Sequence, residues 1–200
     1  MLVVVTPSDE DDLVTLERVK SELSITDDSE DLKLGDMIAE ASAMIAGYCN
    51  REGFGFEDLR QTERLGCGVT SIMLERNLAP QIDAIMVGET LLDPTEYEVD
   101  GSFVYRLTDD ERTYWEAAKV VIEYRSGFDL ASASPPALSR AALDLVVGMY
   151  RGAGRDTGVR SEQVEGVGQT AYFDQRNSDA LPLSADRLAA LAPYRVFPRR

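Results

Sequence analysis

Apolar residues recur at three- and four-residue steps in separate stretches of this chain and alternate singly between them. Leu16, Val19 and Leu23 follow Thr15, a good N-cap, and predict a short first helix ending near Ser24. Leu34, Met37, Ile38, Ala41, Ile45, Tyr48 and Cys49 form one apolar stripe and predict a second, longer helix that stops before Gly53. Asp28 or Ser29 is placed to cap it, with acids near the positive end of its dipole. The period then shortens. Arg60–Leu65, Ser71–Leu74 and Ile82–Val87 read as strands separated by Gly66, Gly68 and Pro80. Tyr97–Val99 and Phe103–Leu107 flank Asp100-Gly101, a hairpin signal. In Lys119–Tyr124, Val120, Ile122 and Tyr124 fall on one face, with Val121, Glu123 and Arg125 on the other.

Helical spacing returns after Pro135-Pro136, where Leu138, Ala141, Ala142, Leu145, Val146, Met149 and Tyr150 line one face. From Gly152 to Asp179 the chain is rich in Gly, Ser, Gln and charge, with little periodicity. That is longer than a loop in a compact domain, and it reads as a mobile arm or a segment ordered by a partner. A short helix at about Ser184–Ala192, capped by Ser184, precedes the final Pro193-Tyr194-Arg195-Val196-Phe197-Pro198-Arg199-Arg200. Prolines on both sides of that last segment favour extended backbone.

The expected fold is therefore α+β and mainly helical: a small helical bundle with an antiparallel β insertion and an extended C-terminal arm. Residues 1–151 would hold the helical domain, with its insertion at about 59–125, and residues 152–200 the arm, a short helix and a docking segment.

Composition narrows the chemistry. The 200 residues include no histidine, which removes Ser-His-Asp and Cys-His catalysis and histidine-based zinc sites. Cys49 and Cys67 are too few for a four-cysteine zinc site or a disulfide scaffold and suit a reducing compartment. Met1–Val5 is apolar but lacks a basic flank and is too short for a signal peptide, and no run approaches the ~20 apolar residues of a membrane span. Cofactors and catalytic residues are expected to be absent.

The formal charge of −16 is uneven. Residues 1–31 carry ten acids against Arg18 and Lys20, whereas the last fourteen residues carry Arg187, Arg195, Arg199 and Arg200 and no acid. So acidic a chain should not grip DNA, whose binding relies on Lys and Arg, although it can sit close to DNA without sticking. Asp9, Glu10, Asp11 and Asp12 lack the spacing and glycine of an EF-hand and read as a solvated face rather than a metal site. Gly66-Cys67-Gly68 and Gly166-Val167-Gly168 lack the setting of a phosphate loop. Ser102 and Ser161 have no histidine to activate them, and Cys49 falls on an apolar stripe. Trp115 is expected in the core or at a subunit seam. Tyr194, Val196 and Phe197 among arginines have the composition of an interface hot spot, docking on their own domain or on another subunit.

The stretches LVTLERVKSELSI, MIAEASAMIAGYCNR, LAPQIDAIMVGETLLDPTEYEVDGSFVYRL, PPALSRAALDLVVGMYR, SEQVEGVGQTAY and LAPYRVF, in that order, resemble the head–tail connector (adaptor) proteins of long-tailed bacteriophages and gene transfer agents. The resemblance covers most of the chain and rests on order and pattern, with no catalytic residue to carry over. It implies a ring, commonly a dodecamer, beneath the portal protein in the particle neck. The ring would continue the DNA channel without specific DNA binding and would meet a stopper or tail protein below. It also implies synthesis in the bacterial cytoplasm and no membrane contact. Helices around Leu32–Cys49 and Pro135–Tyr150 would form the subunit body, the 152–179 arm would contact neighbours, and Pro193, Tyr194, Arg195, Val196, Phe197, Arg199 and Arg200 would reach the portal. Asp9–Asp12, or the acids that open the second helix, would face solvent or the channel. A stopper or tail terminator is the alternative, and a Mg²⁺-dependent carboxylate hydrolase or nuclease the distant one.

Overall fold

A computed structural model describes residues 1–153, 161–164, 168–171 and 181–196. The chain divides into two units. The first contains residues 1–11 and 54–133, the second residues 12–53 and 134–200.

The first unit is built of β1 (Leu2–Thr6), β2 (Glu57–Arg64), β3 (Ser71–Met73), β4 (Gln81–Val87), β5 (Thr90–Leu91), β6 (Tyr97–Asp100), β7 (Phe103–Thr108), β8 (Glu111–Thr113) and β9 (Lys119–Ser126). Five of them form an antiparallel sheet in the order β1-β2-β9-β4-β5. In the other, β7 pairs with β6 along one edge and with β3 and then β8 along the other. Alternation decides what is inside: Leu59 and Gln61 of β2 and Val120, Ile122 and Tyr124 of β9 are buried, while Arg60, Glu123 and Arg125 pair on the outside. Ile72, Leu74, Ile85, Leu92, Val104 and Trp115 complete one core, and the Trp115 indole N–H donates to Val104 O at 3.3 Å.

One polar side chain lies in the middle of this core. Gln61 is fully buried. Its Nε2 donates to Met73 O (2.9 Å) and to Glu63 Oε1 (2.8 Å), and its Oε1 accepts from Glu75 N (3.0 Å) and the Tyr124 hydroxyl (3.3 Å). Tyr124 Oη in turn accepts from Arg76 N at 3.2 Å. Every donor and acceptor of the amide is used, as burial demands. Burial pushes the Tyr124 phenol up to about 12.

The second unit holds α1 (Leu16–Leu23), α2 (Asp31–Tyr48), α3 (Pro136–Gly152), α4 (Ala185–Leu191) and a hairpin of β10 (Ser161–Val164) and β11 (Gly168–Ala171). α2 packs on α3, α1 on both, and α4 on α3. Val19, Leu34, Ile38, Ala41, Ile45, Leu138, Ala142, Leu145 and Val146 are the buried stripes. Thr15 caps α1 by accepting from Arg18 N, and Ser24 closes it in the left-handed region, so that Ile25 N reaches Lys20 O at 2.9 Å. No helix among the described residues is long and apolar enough to cross a membrane.

Two expectations need correction. The fold is α+β but not mainly helical and not a small bundle: the first unit consists of strands in two antiparallel sheets, and the four described α-helices belong to the second. The apolar run Leu2–Val5 is a strand, and β5, β8 and the ends of β2 and β9 add residues that have no alternating signal of their own. The second correction is the cap of α2. Glu30 occupies the N-cap and makes no side-chain cap bond, its carboxylate being held by Tyr150 and Lys33; of the two expected caps, Asp28 pairs with Lys20 and the Ser29 hydroxyl bonds Asp27. Of the stretch 152–179, read as a mobile arm or a segment ordered by a partner, Gly152 ends α3 and the β10–β11 hairpin follows; residues 154–160, 165–167 and 172–179 lie outside the described residues.

Two glycines of the first unit are required for different reasons. A Cβ on Gly127 (φ +123°) would lie 2.0 Å from Gly55 O, where β9 ends and Phe128 N bonds Phe54 O. Gly101 (φ +58°) turns the β6–β7 hairpin with open space around it. Gly127→Ala is therefore expected to cost about 3 kcal/mol or more, and Gly101→Ala about 1 kcal/mol of left-handed strain. Urea unfolding of the two variants measures the difference.

Candidate functional site

α2 carries no basic residue in its last turn, so its terminal carbonyls need donors from elsewhere. The C-terminal segment supplies them. After the turn Ala192–Tyr194, the Arg195 guanidinium donates to Tyr48 O (3.2 Å) and stacks on the Tyr48 ring, 4.5 Å from its centroid. Val196 N donates to Cys49 O at 2.9 Å. The helix end reciprocates: Asn50 Nδ2 donates to Val196 O (2.8 Å) and Arg51 Nε to Tyr194 O (2.7 Å). Four hydrogen bonds and a cation–π contact thus join two stretches almost 150 residues apart in sequence, and Tyr194, Arg195 and Val196 are half-buried by them. Of the expected docking residues, Pro193 is exposed, and Phe197, Arg199 and Arg200 lie outside the described residues.

Asn50, Arg51 and Tyr48 were not singled out in the sequence, where they read as the tail of a helix. The missing cation at that helix end, together with the surplus of arginine in the last fourteen residues, is a signal for the Arg195 contact alone.

The acidic candidates separate into two groups. Asp9, Glu10, Asp11 and Asp12 are all exposed. The acids before and within the start of α2 are tied to their own unit. Lys20 Nζ lies 2.7 Å from both Asp28 and Asp31, which raise its pKa. Tyr150 donates to Glu30 at 2.6 Å, and the hydroxyl and backbone N–H of Ser29 hold the Asp27 carboxyl below its ordinary range. Among the described residues, no three Cys, Asp or Glu side chains are grouped so as to hold a metal ion.

The remaining candidates serve structure. Cys49 is buried, and burial pushes its thiol up, whereas Cys67 is exposed. Trp115 is in the first unit's core, beside an exposed Tyr114. Ser102 accepts from Asn77. Ser161 begins β10, and Gly166 and Val167 lie outside the described residues. On the outer face of the second sheet, Arg112 stacks 3.8 Å over Tyr105 while bonding Glu98 (2.8 Å) and Asp100 (3.2 Å).

Tyr48, Asn50, Arg51 and Arg195 thus hold the end of the second helix and the C-terminal segment together. The chain belongs to the head completion protein family, which matches residues 12–197, and its role is that of a structural head–tail connector. No curated protein matches it. Its fold is similar to chains solved in the neck of an empty gene transfer agent particle computed with C6 symmetry and in the neck of a native particle computed with C12 symmetry. Each is 16% identical at a TM-score of 0.55, covering 100% of this chain and 97% of the other. A chain in the virion of a native gene transfer agent particle matches over the same shares, at 16% identity and a TM-score of 0.56.

Two outcomes follow. Arg195→Ala removes a bonded cation from the end of α2 and should destabilise the protein by about 1–2 kcal/mol, with faster hydrogen exchange at the Val196 amide. The second concerns acid. Asp27, Asp58, Asp93, Glu96, Glu98 and Asp129 are all held below their ordinary values, by Ser29, Arg125, Thr95, the Asp93 N–H, Arg112 and Ser132 respectively. The unfolded chain then binds more protons than the folded one, so this stability is complete above the ordinary carboxylate range and is lost as pH falls through the folded values. Thermal melts should fall steadily below about pH 4, and Ser29→Ala and Ser132→Ala should melt lower at neutral pH and lose less on acidification, because Asp27 and Asp129 then no longer contribute.

Proposed function

We propose that this protein is the adaptor subunit of the particle neck: a ring, of twelve copies on the particle, seated beneath the portal, extending the DNA channel and presenting its lower surface to a stopper or tail protein. It acts without catalysis and without a cofactor. Membership of the head completion family over residues 12–197 carries the reading, and the likeness of its fold to chains in gene transfer agent necks with C6 and C12 symmetry supports it. The charge supports it too. At −16, with Asp9–Asp12 exposed, a wall of such subunits repels phosphate and lets DNA slide.

In this reading the C-terminal segment docks on the portal. The grip of α2 on Tyr194–Val196 fixes where that segment leaves the subunit, so that Phe197-Pro198-Arg199-Arg200 is presented from a fixed base at less entropic cost. The whole segment Pro193–Arg200 thus comprises a base and an anchor. The exposed acids face solvent or the channel.

Electron microscopy of this protein mixed with the portal protein of the same genome tests the reading. A ring added to one pole of the portal is expected with the full chain and not with a chain that stops at Val196, which keeps its folded circular dichroism. Bare portals with the full chain at micromolar concentration, and binding instead to a tail-side component, would make it a stopper or tail terminator. A large rise in melting temperature with millimolar Mg²⁺ would point to a metal enzyme instead.

A further inference from the structure

β1 is the outermost strand of the five-stranded sheet, and nothing in its composition guards its open side. Leu2-Val3-Val4-Val5-Thr6 carries no charge and no proline; its register with β2 is regular from Leu2 to Val4 and shifts only between Val4 and Thr6. Val3, Val4 and Val5 are 43%, 39% and 56% exposed, with Met1 beside them at 77%. The opposite edge of the same sheet is defended in the usual ways: β5 is only two residues long, and β4 begins after Pro80, bulges between Ile82 and Ala84, and carries Asp83.

Among the described residues, the hydrogen bonding of β1 fixes which groups are open. Met1 and Thr62 exchange both of their bonds, Met1 N to Thr62 O (2.9 Å) and Thr62 N to Met1 O (2.8 Å). In an antiparallel ladder bonded and non-bonded pairs alternate. Val3 with Arg60 is therefore the next bonded pair, and the N–H and C=O groups of Leu2 and Val4, opposite Gln61 and Leu59, point away from β2.

We propose that β1 is a homotypic seam, at which a second copy of this chain adds its own β1 antiparallel and in a register centred on Val3. That register is the one in which the strand complements itself. Leu2 of each copy exchanges both bonds with Val4 of the other, using all four open groups per strand. Val3 lies directly against Val3 in a close, non-bonded pair, and Met1 lies beside Val5. On the core side, Leu2, which already packs against the first unit's core, covers the Val4 left exposed in a single copy. The sheet becomes ten strands across a two-fold axis.

Five residues a side bury well under the ~1,200–2,000 Å² of a stable interface, so the pair is weak and reversible. A two-fold contact closes at two copies and cannot propagate a ring. The seam is thus a second association, independent of the adaptor reading, that covers the strand in free protein at high concentration.

Sedimentation equilibrium of the full chain from about 10 µM to 1 mM tests this. A monomer–dimer equilibrium is expected, and Val3→Lys, whose side chain replaces one already exposed, should shift it at least tenfold toward monomer without changing circular dichroism or melting. Cross-linking tests the register in a Cys67→Ser background. Val3→Cys should form an inter-chain disulfide on mild oxidation. Val5→Cys should not, because the two Val5 positions lie four strand steps apart, roughly 13 Å. A chain that stays monomeric at every concentration, a dimer indifferent to Val3→Lys, or cross-linking of Val5→Cys equal to that of Val3→Cys would overturn the proposal.

Discussion

The buried amide of Gln61 is the constraint on which the β unit depends. A side chain with two donor hydrogens and a carbonyl oxygen can lie at zero exposure only if all are paired, and its partners come from β2 itself, from the end of β3 and the turn after it, and from β9. Met73 O ends β3, Glu75 N begins the next turn, and the Tyr124 hydroxyl belongs to β9. The amide therefore fixes the position of β3, and through β3 the second sheet, relative to the β2–β9 ladder. Apolar packing alone would tolerate a small shift of Ile72 or Val104, but the geometry of four hydrogen bonds does not. The adjacent glycines at 55 and 127 act in the same sense, since their backbones approach more closely than any side chain would permit.

The helical unit solves a complementary problem. Its longest helix ends without a cation, and the deficit is met from the far end of the chain by Arg195 and the Val196 amide. One set of contacts therefore completes a helix and anchors a terminus. Elsewhere in the unit, charge is matched locally. Lys20 lies between Asp28 and Asp31, and Asp144 lies between Arg140 and Arg187, which ties α4 to α3. Much of the acidity of residues 27–31 is thereby neutralised in place, while Asp9, Glu10 and Asp11 add to the negative field at the surface.

Most helices were legible because their apolar stripes are long: Leu34 to Cys49 and Leu138 to Tyr150 each span several turns, and Thr15 and Ser184 cap as their position suggested. β9 was legible because Val120, Ile122 and Tyr124 alternate with polar neighbours. β1 was not, since three successive valines have no period and its partner lies more than fifty residues away. Overlooking it, together with β5 and β8, made the fold look more helical than it is. The cap of α2 was misread because a run of four acids offers several capping groups, and tertiary contacts with Lys20 and Tyr150 decide which are free. Of the candidate site, the role of Arg195 could be anticipated from sequence and that of Asn50 and Arg51 could not, because their carbonyl partners are defined only once the chain has folded.

The pairing of β1 with β2 also constrains the order in which the protein forms. The strand is made well before its partner, which follows α1 and α2, and β2 itself must wait for β9, some sixty residues further on. Closing loops of that size costs entropy before any contact repays it. α1 and α2, whose contacts are close in sequence, can condense while the ribosome is still producing the sheet. The N-terminal valines then remain without a partner through much of synthesis, so nascent chains crowded on one message would meet one another at this strand first.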